Sequence, residues 1–342
     1  MNKKFNIGIV GATGVVGETM LSILEERKFP VNNLVLLASE RSTGKEYIFN
    51  GQTIKVQTLN ENSFKNIDIA LFSVGNSISK KYAEVAVKSG CIVIDNSSAF
   101  RMNENVPLII PEINPHVLAN HKGIIANPNC TTIVTLMALN PINKFSKIKK
   151  IIASSYQAVS GAGQDGMDEL REQNRAILNG KEPMVKYFSH QIANNLIPKI
   201  NNIKENGYSA EEMKMVNETR KIFDDIDIRI SATCVRVPVF TAHSIAVTVE
   251  TKTKIPINKV RELIGNAKGI DLLDDPEKDI YPMPIFAEGK DNCYVGRIRE
   301  DLVFENGLSL WISGDQVRKG AALNTIQIAE KLIEMGLASI EN

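Results

Sequence analysis

The amino-acid sequence predicts an α/β protein of two domains, a parallel-sheet domain followed by an α+β domain with a mostly antiparallel sheet. Two observations carry this expectation: a strand–helix rhythm through the first third, and its replacement after about residue 130 by longer apolar segments. A length of 342 residues suits two hydrophobic cores of ordinary size.

In the first third, FNIGIV (5–10), LVLLAS (34–39), DIALFSV (68–74) and CIVID (91–95) are apolar runs of strand length. Between the last two, Ile78, Tyr82, Val85 and Ala86 recur at helical spacing, and Gly90 stands where a C-cap belongs. Strands joined by helical crossovers run parallel. Further on, IKKIIASSYQAVSG, DIRISATCVRVPVF and SIAVTVET read as strands of the second sheet. The stretch SAEEMKMVNETRKIF (209–223) is a charged helix expected to border a site or a subunit contact, and the polar NNIKENGYS (201–209) an exposed loop. From residue 320, GAALNTIQIAEKLIEMG sets Ala322, Ile326, Ala329 and Ile333 on one stripe and ends at Gly336, a helix expected to return to the first domain. The expected division is therefore 1–129 completed by 316–342, against 130–315.

Lys and Arg number 40 against 39 Asp and Glu, so no long-range field favours a nucleic acid or an anionic membrane. The four cysteines, Cys91, Cys130, Cys234 and Cys293, are far apart and form neither a disulfide framework nor a metal knuckle. No apolar run approaches spanning length, and the N-terminus runs directly into a strand. The expectation is a cytoplasmic protein without metal, nucleic-acid or membrane partners.

Gly8, Gly11, Gly14 and Gly17 cross from the first strand into the first helix. A pyrophosphate sits on the free N–H groups of a helix N-terminus only where the turn is tight and bare of side chains. The turn thus predicts a Rossmann-type dinucleotide-binding domain. At the end of the second strand, Ser39, Arg41 and Ser42 stand where an NAD-specific fold carries an acid, a set suited to the 2′-phosphate of NADP.

A nicotinamide beside a nucleophilic cysteine implies chemistry at the aldehyde level through a thioester. Cys130 follows Pro128 and Asn129 and opens TTIVTLMAL, so it is expected near a helix N-terminus, where the dipole and free N–H groups favour thiolate. Among four histidines, His243 in CVRVPVFTAHS stands out as the base, with Arg236 seven positions earlier across a bend containing Pro238. Arg236 offers paired donors to a carboxylate, and Arg101, after DNSSAF, offers the same to a phosphate.

Taken together, GATGVVG, ASERSTGK, DNSSAFR, ANPNC, SSYQAVSGAG, EEMKMVNET, TCVRVPVFTAHS and GDQVRKGAALN resemble the aspartate-semialdehyde dehydrogenase family over essentially the full chain. The resemblance implies that Cys130 is the thioester nucleophile, His243 the general base and acid, and Gln157 the group that orients substrate and intermediate. It further implies that Arg236 holds the substrate carboxylate, Glu211 the amino group, and Arg101 with Lys214 the phosphate. On the cofactor side it points to Gly11, Thr13, Gly14, Val15 and Val16 for the pyrophosphate and to Arg41 and Ser42 for the 2′-phosphate. Ser160, Gly161 and Gln316 fall near the nicotinamide. Asn129 and the Cys130 N–H are candidates for an oxyanion hole. The reaction implied is the NADPH-dependent, reversible reductive dephosphorylation of L-4-aspartyl phosphate, on the route to lysine, threonine and methionine, by a homodimer whose second domain is catalytic and dimerising. Asn76 and Gln316 depart from the commonest pattern, both on the cofactor side. Two alternatives remain: an N-acetyl-glutamyl-phosphate reductase, which would not need an acidic partner such as Glu211 for an acetylated amine, and a non-catalytic nicotinamide-binding regulator.

Overall fold

The computed structural model describes residues 3–339. The chain divides into two compact units, one comprising the chain up to Asn129 and from Ala321 onward, the other Cys130–Gly320.

The first unit contains β1 (Phe5–Val10), α1 (Val15–Glu26), β2 (Val31–Ala38), β3 (Glu46–Phe49), β4 (Gln52–Thr58), β5 (Ile69–Phe72), α2 (Asn76–Lys88), β6 (Ile92–Asp95) and β7 (Ile124–Ala126). Its sheet has the order β3-β4-β2-β1-β5-β6-β7, parallel throughout except for the β3–β4 hairpin. Strand side chains alternate between faces, and here both faces are buried. Ile7 and Ile9, Leu34 and Leu36, Ile69 and Leu71, and Ile92 and Ile94 join one core with Met20, Ile23 and Leu24 of α1. Val10, Leu37, Ala70, Phe72 and Val93 join the other with Tyr82, Ala83 and Ala86 of α2. That two-sided burial is why the strands read as continuous apolar runs. The inward face of α2 is turned from the expected one: Ser79, Tyr82, Ala83 and Ala86 are buried, whereas Ile78 stays 38% exposed.

The second unit contains α3 (Cys130–Phe145), β8 (Ile148–Gln157), α4 (Gln164–Leu178), α5 (Ala210–Phe223), β9 (Arg229–Arg236), β10 (His243–Thr251), α6 (Ile257–Gly265), β11 (Ile270–Leu272), α7 (Pro284–Ala287), β12 (Cys293–Glu300) and β13 (Gly307–Gly314). Its sheet, β11-β12-β13-β10-β8-β9, is parallel only at β8–β9 and β11–β12. Helix α3 is buried at every position from Thr131 to Leu139, a stretch that is apolar apart from Thr131, Thr132 and Thr135. Ser209 caps α5 in a capping box with Glu212.

The final helix, α8 (Leu323–Glu334), adds Leu323, Ile326, Ile328, Ala329 and Leu332 to the first unit's core. Arg27, the C-cap of α1, holds Glu330 through two bonds of 2.7 Å. Gly336, at φ 73°, ends the helix: its N–H reaches Ile333 O at 3.1 Å and that of Leu337 reaches Leu332 O at 2.8 Å. The division between units lies after Gly320 rather than at the expected 315/316 boundary, which leaves Gln316 in the second unit. Gly320 sits where an added Cβ would be 2.9 Å from Cys130 Cβ, so the chain leaves the second unit only after passing the thiol.

Candidate active site

In the first unit, the four glycines of the turn separate by role. A Cβ on Gly8 would meet Ile67 Cδ1 at 2.8 Å, on Gly11 Ser73 O at 2.2 Å, and on Gly17 Gly11 O at 2.2 Å. These three let strand, turn and helix close on one another, and Gly11 also takes φ 85°. At Gly14, the N-cap of α1, an added Cβ would come no nearer than 3.6 Å to anything, and no side chain caps the helix. The bare N-terminus of a 12-residue helix at the carboxyl end of β1 suits a pyrophosphate.

Val15 and Val16 form the first turn of that helix. Thr13 Oγ1 donates to Ser42 Oγ at 3.3 Å, so the turn meets the residues after β2, where Ser42 is buried and Arg41 exposed. The residues present fit a dinucleotide, whose pyrophosphate the open helix N-terminus at Gly14 could take. Asn76 ties the start of α2 to the loop after β6, because its side chain accepts from Ser98 N at 3.0 Å and donates to Ser98 Oγ at 2.9 Å. Arg101 is buried, donating through Nε to Asn127 O at 2.9 Å and through Nη2 to Asn96 O at 2.7 Å. Asn129, also buried, is the last residue of this unit before α8 rejoins it.

In the second unit the thiol site is built at one end of the sheet. Strands β8 and β9 run parallel and in register, so Gln157 and Arg236 end them side by side. Strand β10 is antiparallel to β8, so its first residue, His243, starts from the same end. Cys130 opens α3, which packs on this sheet. Its Sγ lies 3.6 Å from His243 Nε2. Of the four thiols Cys130 alone is not buried, and burial pushes the Cys234 thiol up to about 12.

His243 is fully buried, and Ala158 N–H donates to its Nδ1 at 3.1 Å. Burial first and the Arg236 charge second lower its pKa to about 3, against an opposing pull from Glu211. The ring is neutral at working pH. Arg236 Nη1 donates to Ala158 O at 2.6 Å, and burial lowers its pKa while Glu211 supports its charge. Gln157 accepts from Ser155 Oγ at 2.9 Å and donates to Glu211 Oε1 at 3.3 Å.

Glu211, in the first turn of α5, also accepts from Asn201 at 3.0 Å and Lys214 at 2.8 Å. Its i,i+3 partner Lys214 keeps a side-chain exposure of 27%. Gln316 donates to Ser160 Oγ and accepts from Ala242 N at 2.8 Å, bracing the left-handed Ala242 (φ 67°) next to His243. A Cβ on Gly161 would lie 3.0 Å from Arg236 Nη1 and 3.2 Å from His243 Cε1.

The second unit thus brings together Cys130, His243, Gln157, Arg236, Glu211 and Lys214, with Ser160, Gly161 and Gln316 alongside. Sequence reasoning missed Ala158, whose contribution is entirely backbone, and Asn201, placed in a loop without function. Gly320 carried one signal, a glycine within a helical pattern.

Among the described residues no helix is long and apolar enough to cross a membrane. Residues 6–121 match the family profile described as semialdehyde dehydrogenase, NAD binding domain, and residues 139–319 that described as semialdehyde dehydrogenase, dimerisation domain. An aspartate-semialdehyde dehydrogenase of Aquifex aeolicus is 53% identical over 97% of this chain and 99% of its own. One of Bacillus subtilis is 48% identical over 98% of this chain and all of its own. The crystal structure of aspartate semialdehyde dehydrogenase II from Vibrio cholerae complexed with ASA, at 48% identity, superposes with a TM-score of 0.95 over 97% of this chain and 99% of its own.

Proposed function

Because the chain belongs to the aspartate-semialdehyde dehydrogenase family, we propose that Cys130 is its nucleophile and that His243, Gln157, Arg236 and Glu211 serve the same reaction. The reaction is the reductive dephosphorylation of L-4-aspartyl phosphate to L-aspartate 4-semialdehyde, reversible and part of amino-acid biosynthesis. The observation that carries the assignment of residues is the 3.6 Å approach of a helix-N-terminal thiol to a buried, neutral imidazole.

Cys130 sulfur attacks the acyl carbon, the carbon–oxygen bond to phosphate breaks, and its electron pair leaves with phosphate, so a thioester remains on Sγ. The helix N-terminus favours the thiolate before attack, and the N–H groups there favour the adduct oxyanion, with Asn129 as a further donor. Arg236 presents paired donors to the α-carboxylate, and Glu211 offers its charge to the α-ammonium. An acetylated amine would have no use for that carboxylate, which favours the free amino acid over the acetyl-glutamyl substrate. Gln157, hydrogen-bonded to Glu211, orients the chain between them. Arg101 and Lys214 would hold the phosphate.

Thr13, Gly14, Val15 and Val16 would hold the cofactor's pyrophosphate, Gly11 the tight turn before it, and Arg41 and Ser42 the 2′-phosphate of NADP. Ser160, Gly161 and Gln316 would border its nicotinamide. When bound in reduced form, that ring supplies a hydride for the thioester carbon. The dimerisation-domain match supports a homodimer, and the four free cysteines are in keeping with a cytoplasmic enzyme.

The test is NADPH formation from L-aspartate 4-semialdehyde and NADP at mildly alkaline pH, with and without phosphate. Turnover that needs phosphate and vanishes in Cys130→Ser, with cofactor binding retained, is the expected result. Well-folded protein without turnover, or Cys130→Ser working at the wild-type rate, would overturn it.

A further inference from the structure

Both polar groups of one residue, Ala158, point at the functional side chains: its N–H donates to His243 Nδ1 at 3.1 Å and its C=O accepts from Arg236 Nη1 at 2.6 Å. A ring nitrogen that accepts a hydrogen bond from an amide carries no proton of its own. The proton of neutral His243 is therefore on Nε2, the nitrogen facing Cys130 Sγ at 3.6 Å. We infer that Ala158 is a positioning residue that locks His243 as its Nε2–H tautomer, so that His243 meets Cys130 as a hydrogen-bond donor and not as a vacant base.

Ala158 has little freedom to relent. Val237 N donates to Gln157 O at 3.0 Å, Val159 N to Val239 O at 2.9 Å, and Ser160 N to Phe240 O at 3.1 Å, so the segment is pinned on both sides. In the opposite tautomer two N–H groups would face each other in a fully buried place. The imidazolium would suffer the same clash and, besides it, the Arg236 charge. Glu211 and, once it is a thiolate, Cys130 are the groups that favour a charged ring, and the low pKa of His243 means that burial and Arg236 prevail. Gly161, which approaches the ring, Gly314, which pairs with His243 across β10 and β13, and the chain neighbours Ala242 and Ser244 carry no charge.

The inference rests on Cys130 being the nucleophile and changes what its partner does. The sulfur loses its proton to solvent, and the thiolate receives a hydrogen bond from Nε2–H. As the sulfur–carbon bond forms, the carbonyl π pair moves to oxygen and Nε2–H becomes available to that oxyanion. When the carbon–oxygen bond to phosphate breaks, the pair departs with phosphate. The proton on Nε2 is present at the beginning and at the end.

The test is long-range 1H–15N spectroscopy of the full chain labelled with 15N-histidine. His116→Gln, His121→Gln and His190→Gln remove the other three signals, so His243 is assigned by elimination. A pyridine-type Nδ1 and a pyrrole-type Nε2, unchanged from mildly acidic to mildly alkaline pH, are expected. A pyrrole-type Nδ1, or two protonated nitrogens, would overturn the inference. An amide-to-ester exchange at Ala158 deletes the N–H donor with little change of shape and is expected to move a pyrrole-type signal onto Nδ1; an unchanged spectrum would remove Ala158 as the lock. These shifts are read in the resting protein, so failure of the proposed reaction in the turnover assay leaves them standing and is told apart from failure of the tautomer.

Discussion

Gly320→Ala tests how firmly the thiol's helix is held from behind. The added Cβ would lie 2.9 Å from Cys130 Cβ and 3.3 Å from Cys130 Cα, with Gln316 Cβ at 3.4 Å. Carbon atoms rest at about 3.5–4.0 Å, so a gap of roughly 0.6 Å or more must open. None of these atoms is the far end of a flexible side chain. Gly320 N–H is also bonded to Asp315 O at 3.0 Å, which resists retreat on its own side. Overpacking of this kind costs about 1–3 kcal/mol, and a domain of this size loses roughly 2–4 °C in Tm per kcal/mol. If Cys130 takes up the movement, Sγ passes beyond hydrogen-bond reach of His243. A misplacement of about 1 Å at a reacting group costs on the order of a hundredfold in rate, so a tenfold slower acylation is the expected scale. Calorimetry and rapid-mixing measurement of phosphate release read the two effects separately. A variant with wild-type Tm and wild-type acylation would refute the close approach of Gly320 to α3.

Acid sensitivity gives a second prediction. The folded pKa of His243, about 3, lies below the roughly 6.5 of an unfolded histidine, so the unfolded chain takes up a proton that the folded chain refuses. The stability tied to neutral His243 is fully present above the unfolded value and is lost as pH falls from there toward the folded one, amounting to about 2 kcal/mol at pH 5. Urea midpoints measured at neutral pH and at about pH 5 should therefore fall less in His243→Gln than in the wild type; equal losses would show that the histidine is not held neutral by the fold. For the cofactor, Arg41→Ala should raise the KM for NADPH about tenfold or more while leaving that for NADH nearly unchanged, since a charge-assisted hydrogen bond contributes about 1.5–3 kcal/mol. An equal change with both cofactors would remove Arg41 from the 2′-phosphate.

Much of the fold was legible because burial on two sides leaves a plain signature. Phe5–Val10 is the strand expected, residue for residue, and α8 closes at the glycine that marked it. The β3–β4 hairpin went unread because its strands are largely exposed and carry no apolar run. Its signal was Asn50-Gly51, both with positive φ (48° and 76°), the pair that a tight hairpin turn demands. On α2, spacing alone did not decide which side faced inward; Ser79 goes inside because its hydroxyl meets the buried Asp95 carboxylate at 2.5 Å, a partner invisible to an apolar count. At the thiol site the side chains were legible as residue types. The grip of Ala158 was not, because a backbone N–H looks the same at every position in a sequence. The glycine turn was read as one device, whereas three of its glycines answer to crowding and Gly14 to open space.

The return of α8 to the first unit bears on how the chain comes off the ribosome. The core that begins with Phe5, Ile7 and Ile9 is completed by Ile326, Ala329 and Leu332, so the N-terminal region cannot finish folding while the C-terminus is still being synthesised. The intervening Cys130–Gly320 unit has all of its own strands in hand earlier. Assembly order would then run from the middle outward, and any release of the nascent chain short of residue 323 leaves an open apolar face on its oldest part. Premature termination near the end of the message is expected to yield aggregation and proteolysis, even though every residue of the thiol site has already been made.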